Sequence, residues 1–394
     1  MNAAWKLRAA LLITYFGDYC SLIGLYEFAK RFGSSNKVAG IYAAYCIPPL
    51  VMFLLSKQWA RHQHRPTLQL GLVSGTGAIA VMSLLWATSY TYVLIVTFLL
   101  ALTKESVQVL TNVYIKYQYS PEQAKKIVGD IVSSRFFIMV FGGSLGAYLG
   151  GLSRFDIVFG LDAATYIISG ILFYHLTTTA AHANAVNSAP ALQHRALSKM
   201  MATFQWIPWL WITSAAIAMG AFMGIEYPLI TTQLGVPTKL IWAIWAGHAV
   251  GALCARPLVS VLLRAPQLST RIMIFALLQV IAFGLVGMWH PTVVFVSAQI
   301  GIAAFMMVLL ESLANYHLMH RSSKEDYPLY NLMYRIMYRL SIFIGALAPL
   351  ALLARFSLIE ANQIFNMNII IDMVLIALLW RIVTARRLAH EPST

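Results

Sequence analysis

Apolar runs long enough to cross a lipid bilayer recur along the whole chain, and no other feature narrows its fold so far. A hydrocarbon core about 30 Å thick takes roughly 20 apolar residues wound as a helix. Spans of that kind are read at about 7–30, 38–60, 67–87, 92–117, 127–150 and 155–176, then at about 203–232, 237–263, 269–289, 293–319, 328–354 and 361–385. Stretches such as Ile167 to Leu172 and Ile369 to Leu379 do not alternate apolar with polar residues, as a barrel strand does over about ten residues. The expected fold is therefore an all-α polytopic membrane protein with twelve transmembrane helices. Composition agrees, since 59% of the residues are hydrophobic and 11% charged, whereas soluble domains carry about 25% charged residues. Cys20, Cys46 and Cys254 lie inside apolar runs, which excludes a disulfide scaffold. Lys6 and Arg8 precede the first span with no small-residue cleavage site after it, so this segment reads as a span rather than a removable leader.

The net charge of +14 would suggest nucleic acid in a soluble protein. Here the basic residues sit between apolar runs, so they report topology, and the expected partner is the bilayer. Even-numbered loops and both ends hold sixteen, namely Lys6, Arg8, Arg61, Arg65, Lys116, Lys125, Lys126, Arg195, Lys199, Arg264, Arg271, Arg321, Lys324, Arg381, Arg386 and Arg387. Odd-numbered loops hold six, namely Lys30, Arg31, Lys37, Arg154, Lys239 and Arg355. Basic loops stay in the cytoplasm, which puts both termini there and requires an even number of spans.

A polar stretch rich in Ala, Thr, Asn and Ser, residues 177–200, divides the chain almost in half and reads as a cytoplasmic linker. The halves, 1–176 and 201–394, look like an internal repeat. Gly17 matches Gly220, Asn112 matches Asn315 and Gly142 matches Gly345 at a nearly constant offset, and the loop 31–37 falls where 233–239 falls. Two six-helix halves related along the membrane normal are a known transporter plan, with cargo held between them near the midplane.

These features resemble the major facilitator superfamily. More narrowly, the first half resembles the branch that contains the enterobactin exporter and related efflux proteins. The matching residues are Gly17-Asp18 with Ile23-Gly24, Gly33-Ser34-Ser35, Val38-Ala39-Gly40, Pro48, and Phe159 to Ala164 continuing through Ser169 to Leu176. Gly142-Gly143-Ser144-Leu145-Gly146-Ala147 sits where that branch carries an antiporter-type motif, with Gly143 in place of its proline. The loop after span two keeps Arg61 and Arg65 but has Ser56 and Ala60 where the superfamily carries Gly and Asp. The resemblance implies that Arg61, Arg65, Gly142, Gly146 and Asp162 serve conformational change. It also implies that spans one, four, seven and ten surround a central cavity, and that the protein works as a monomer in a bacterial inner membrane.

Ionisable groups at membrane depth cost on the order of 2.5–3.5 kcal/mol each at a helix centre, so each asks for a partner or a function. Asp18, Lys104, Glu105, Arg135, Arg256, Glu311, Arg335 and Arg339 fall inside spans. At 100° per residue, Thr14, Asp18 and Ser21 share a face of span one, and Glu105, Gln108 and Asn112 share one of span four, with Lys104 beside it. Asp18, Glu105 and Glu311 are candidate proton carriers, because burial and neighbouring cations shift a carboxyl group in opposite senses. The other reading makes them structural ion pairs. Lys104, Gln108, Asn112, Arg135, Tyr334, Arg335, Tyr338 and Arg339 are candidate cargo contacts. Tyr327, Tyr330, Tyr334 and Tyr338 form a stripe in span eleven that serves either helix packing or an aromatic, anionic ligand. Glu226 and His248 are weaker candidates. Counting five intramembrane cations against Asp18, Glu105 and Glu311 leaves a surplus of positive charge, which an anionic or zwitterionic cargo would relieve.

The sequence shows no phosphate-binding loop, no His-Glu-x-x-His and no paired-cysteine metal site, so no cofactor, metal or enzymatic activity is expected. The reading that remains is a secondary active transporter: a proton-coupled exporter, of antiporter type, of a siderophore-like or drug-like molecule. An importer of a siderophore or metabolite, or a non-transporting membrane protein, is the alternative.

Overall fold

The computed structural model describes residues 3–33, 36–54, 66–176, 212–221, 240–262, 292–322 and 327–353, with single positions between and beyond them. Arg61, Arg65, the linker 177–200 and most of the predicted ninth and twelfth spans lie outside the described residues. Every described element is helical. They are α1 (Ala3–Ala29), α2 (Asn36–Cys46), α3 (Pro48–Leu54), α4 (Pro66–Ser83), α5 (Tyr90–Gln118), α6 (Pro121–Gly151), α7 (Phe155–Tyr174), α8 (Ile212–Ala221), α9 (Ile241–Leu262), α10 (Val293–Arg321) and α11 (Tyr327–Leu353). Among the described residues, α1, α4, α5, α6, α7 and α10 are long and apolar enough to cross a membrane.

Local chemistry fixes the helix boundaries. Ser120 and Gln123 cap the start of α6 reciprocally, with Pro121 in the first turn, where a missing N–H costs nothing. That cap starts the helix six residues before the predicted span edge, so Lys125 and Lys126 belong to its first turns rather than to a loop. Ser89 and Thr292 cap α5 and α10 by accepting from the amides of Tyr92 and Phe295. Where the sequence predicts one span over 38–60, the helix breaks at Ile47. Pro48 and Pro49 bring no amide donors, and their rings crowd the carbonyls of the preceding turn.

Lipid faces and packed faces separate cleanly. Ile79 is 73% exposed and Val294 79%, an arrangement that suits hydrocarbon and not water. Inside the bundle, α1 packs on α6 and α7, α4 on α5 and α7, and α9 on α10. Small residues set the closest crossings. A Cβ at Gly146 would fall on the Cys20 carbonyl of α1, and one at Gly345 would fall on the Ile217 carbonyl of α8. Among the described residues, the halves meet along two seams: α6 against α9 and α10, and α11 against α2, α3 and α5.

Lys6 Nζ donates to the His175 carbonyl at 3.4 Å, so the start of α1 and the end of α7 share one end of the bundle, the near end. There the halves are tied together. Asn112 Nδ2 donates to Asn331 Oδ1 at 3.0 Å. Lys116 donates to the carbonyls of Met319 and Ser322. Asp130 accepts from Arg8 at 2.9 Å and from Arg256 at 3.0 Å. Met52, Val109, Leu332 and Ile336 form an apolar plug beside them.

Candidate functional site

Above that closed end, both halves line a central cavity with about 140 Å³ of water-accessible space. Its inner part presents cations. Lys104 comes from α5, Arg135 from α6, and Arg335 and Arg339 from α11, four residues apart and therefore on one helix face. Their acidic partners stand behind them. Glu105, 2% exposed, accepts from Arg335 Nε and Nη2 at 3.0 and 2.8 Å and from Arg339 Nε at 2.7 Å. Glu311, 4% exposed, takes both terminal nitrogens of Arg135, Nη1 at 3.1 Å. Both clusters join one half to the other. Arg135 Nε has no hydrogen-bond partner among the described residues.

The cavity wall is otherwise aromatic. Tyr19 and Tyr45 hold their ring centroids 4.7 and 5.1 Å from Lys104 Nζ, within reach of a cation–π attraction. Tyr15 OH donates to Gln108 Oε1 at 2.8 Å. Towards the far end, Trp245 Nε1 donates to Glu226 Oε1 at 2.7 Å, and His248 Nε2 lies 3.6 Å from the same oxygen.

The structure brings many predicted residues together and separates others. Lys104, Gln108, Arg135, Arg335, Tyr338 and Arg339 line the cavity, and so do Glu226 and His248. Asn112 lies below it in the near-end closure. Tyr334 stacks on Tyr338 with centroids 5.9 Å apart but does not reach the cavity. Tyr327 and Tyr330 are also buried elsewhere. Gly142 and Gly146 sit at the α1–α6 crossing. Asp18 and Asp162 face a separate, smaller cavity within the amino-terminal half. The expected surplus of cations needs correcting for the bundle as a whole. Arg256 pairs with Asp130 near the end, while Asp162 and Glu226 add acids at depth. On the cavity surface, four cations meet Glu226 alone among the carboxylates of the described residues. Sequence reasoning missed Tyr15, Tyr19 and Tyr26, although their spacing of four and seven marks one face of α1.

A helical membrane bundle whose two parts enclose a largely apolar cavity with a cationic inner wall, and are tied to each other at one end, is a plan that transport proteins use. The sequence profile of the Major Facilitator Superfamily matches residues 9–388, and the chain belongs to that family. It is a multi-pass membrane protein, and this family is one of small-molecule transporters. A comparison with curated protein sequences returns no match. Among solved structures, the human organic anion transporter MFSD10 superposes with a TM-score of 0.71 at 13% identity, covering 96% of this chain and 98% of its own. The nucleoside transporter NupG gives 0.66 at 13%, covering 96% and 99%. A bacterial homologue of the iron transporter ferroportin, in an outward-facing state with soaked iron, gives 0.64 at 14%, also covering 96% and 99%. At these identities the likeness is one of fold.

Proposed function

We propose that this chain is a proton-coupled secondary transporter of a small aromatic anion or zwitterion, moved by alternating access between the two halves. The cationic inner wall carries the reading. Guanidinium groups suit carboxylate and catecholate oxygens because their donors lie in a plane and can bind two oxygens at once. Tyrosine rings around them supply stacking surface, and the structural neighbour whose name includes an organic anion transporter has the same fold. Glu226 at the far end gives a zwitterion a place for its cationic group. The ties across the halves at the near end, taken with a charge distribution that favours the cytoplasm for that end, support the reading of an outward-facing carrier.

Export follows from the resemblance to the efflux branch. Import with protons is the second reading, favoured by the position of Lys104 between the cavity and a buried acid. Uptake of labelled aromatic carboxylates into everted vesicles and into whole cells, each with an imposed proton gradient, separates the two.

Arg339 is the better probe of cargo charge, since its side chain is 16% exposed against 4% for Arg335. Arg339→Gln should weaken binding of aromatic carboxylates about tenfold or more, and Arg339→Lys less, because an ammonium replaces a planar fork only in part. Tight binding of lipophilic cations, with carboxylates and catecholates ignored, would overturn the anionic reading.

A further inference from the structure

The smaller cavity lies among α1, α2, α5 and α7 and has a polar wall of two carboxyl groups. Asp18, 5% exposed, comes from α1, and Asp162, 1% exposed, from α7. Asp18 Oδ1 accepts from Tyr166 OH at 2.7 Å, and Asp162 Oδ1 from Thr165 Oγ1 at 3.4 Å. Among the described residues, Asp18 Oδ2 has no hydrogen-bond partner and sees a cation only in Lys104 Nζ, 3.4 Å away. Among the described residues, the remaining titratable groups around the pair are Tyr166 from α7, Tyr45 from α2 and Cys20 from α1. Leu22, Leu25, Leu100 and Leu84, just beyond α4, close the cavity with apolar surface. Gly17 makes the approach possible, since a Cβ there would strike the Asp162 carboxyl and the Thr165 hydroxyl.

The charge balance does not close with both acids ionised. Lys104 offsets one carboxylate, and no second cation faces the other among the described residues. An uncompensated carboxylate in an apolar enclosure is expensive, and neighbouring carboxyls relieve that cost by sharing a proton. Glu105 and Glu311 differ, because each already has guanidinium partners.

We propose that Asp18 and Asp162 together hold one proton, and that this pair is the proton site coupled to cargo, with Lys104 as the link. The coupling part rests on the anionic-cargo reading. Lys104 Nζ touches Asp18 on one side and lines the central cavity on the other, between Tyr19 and Tyr45. An anion in the central cavity draws the ammonium towards itself and leaves the acid pair more in need of its proton. Linkage is reciprocal, so a bound proton favours the anion by the same factor. Proton and anion therefore bind together and cross in one direction, a symport, which selects import with protons, the second of the two directions above, over export.

Infrared difference spectroscopy on the full-length protein in lipid nanodiscs tests the proton without any cargo. The wild type should show a protonated-carboxyl band at neutral pH that is lost in Asp162→Asn and kept in Glu311→Gln. Lys104→Met should change the intensity of the band at fixed pH, since it removes the cation beside the pair, and this variant decides the matter if Asp162→Asn does not fold. A wild type without the band, or a band that ignores both substitutions, overturns the proton site. In weakly buffered solution, 2,3-dihydroxybenzoate added to the wild type should then cause proton uptake that Asp162→Asn abolishes. Binding without uptake overturns the coupling. If no aromatic carboxylate or catecholate binds while the infrared result holds, the anionic reading falls and the proton site stands.

Discussion

Glu105 is a carboxylate from the first half held by two guanidinium groups from the second, and it makes α5 and α11 one electrostatic unit. Removing its charge leaves two buried cations without their acid, a change worth about 3–5 kcal/mol in systems where buried pairs are broken one-sidedly. Glu105→Gln should accordingly lower the melting temperature of the purified protein sharply, and the double variant Glu105→Gln with Arg335→Gln should recover part of the loss. A single variant that melts with the wild type would show the clamp to be dispensable. The sequence displays these groups openly, because any charge inside an apolar run stands out. It does not display their partners. Glu105 meets Arg335 across 230 positions and Arg135 meets Glu311 across 176, and no helical periodicity relates residues so far apart. The tyrosines of α1 escaped for the opposite reason, since an aromatic residue is ordinary in a membrane helix and only the cavity gives it meaning.

Helix crossings repeat between the halves. Gly142 and Gly146 bring α6 onto the carbonyls of Phe16 and Cys20, while Gly345 and Gly220 bring α11 and α8 onto Ile217 and Ile342. The offset between Gly142 and Gly345 is legible in the sequence, and it marks a shared packing device. Backbones approach this closely only where no side chain intervenes. Gly146→Leu should therefore push α1 from α6 and yield little monodisperse protein by size exclusion. Gly160→Ala, at a position where an added Cβ meets nothing within 4 Å, should leave yield and melting unchanged or slightly improved. Equal behaviour of the two variants would mean that the crossing tolerates a bulky residue. The break between α2 and α3 shows where element-level reading stopped short. Pro48 and Pro49 lie in an apolar run long enough to span, and length alone conceals the missing amides.

At the scale of the whole molecule, two seams among the described residues and the near-end ties hold the halves around the cavity, and the proposed alternating access requires those ties to part. In the orientation proposed from the charge asymmetry of the loops, the closure faces the cytoplasm. A cysteine introduced at Ser188 in the linker should then be labelled by an impermeant maleimide in everted vesicles and not in intact cells; labelling of intact cells would reverse the orientation. Asn112 and Asn331 offer the sharper test of movement, because their amides meet at 3.0 Å across the halves. With Cys254→Ser removing the exposed native thiol, Asn112→Cys together with Asn331→Cys places two thiols at that contact. A short, reducible bismaleimide should join them and stop transport of a labelled aromatic carboxylate, and cleaving the linker should restore it. Binding from the far side should survive the cross-link, because the cavity remains formed while its near end stays shut. Undiminished transport by the fully cross-linked protein would mean that the halves do not separate here, and alternating access would need another hinge.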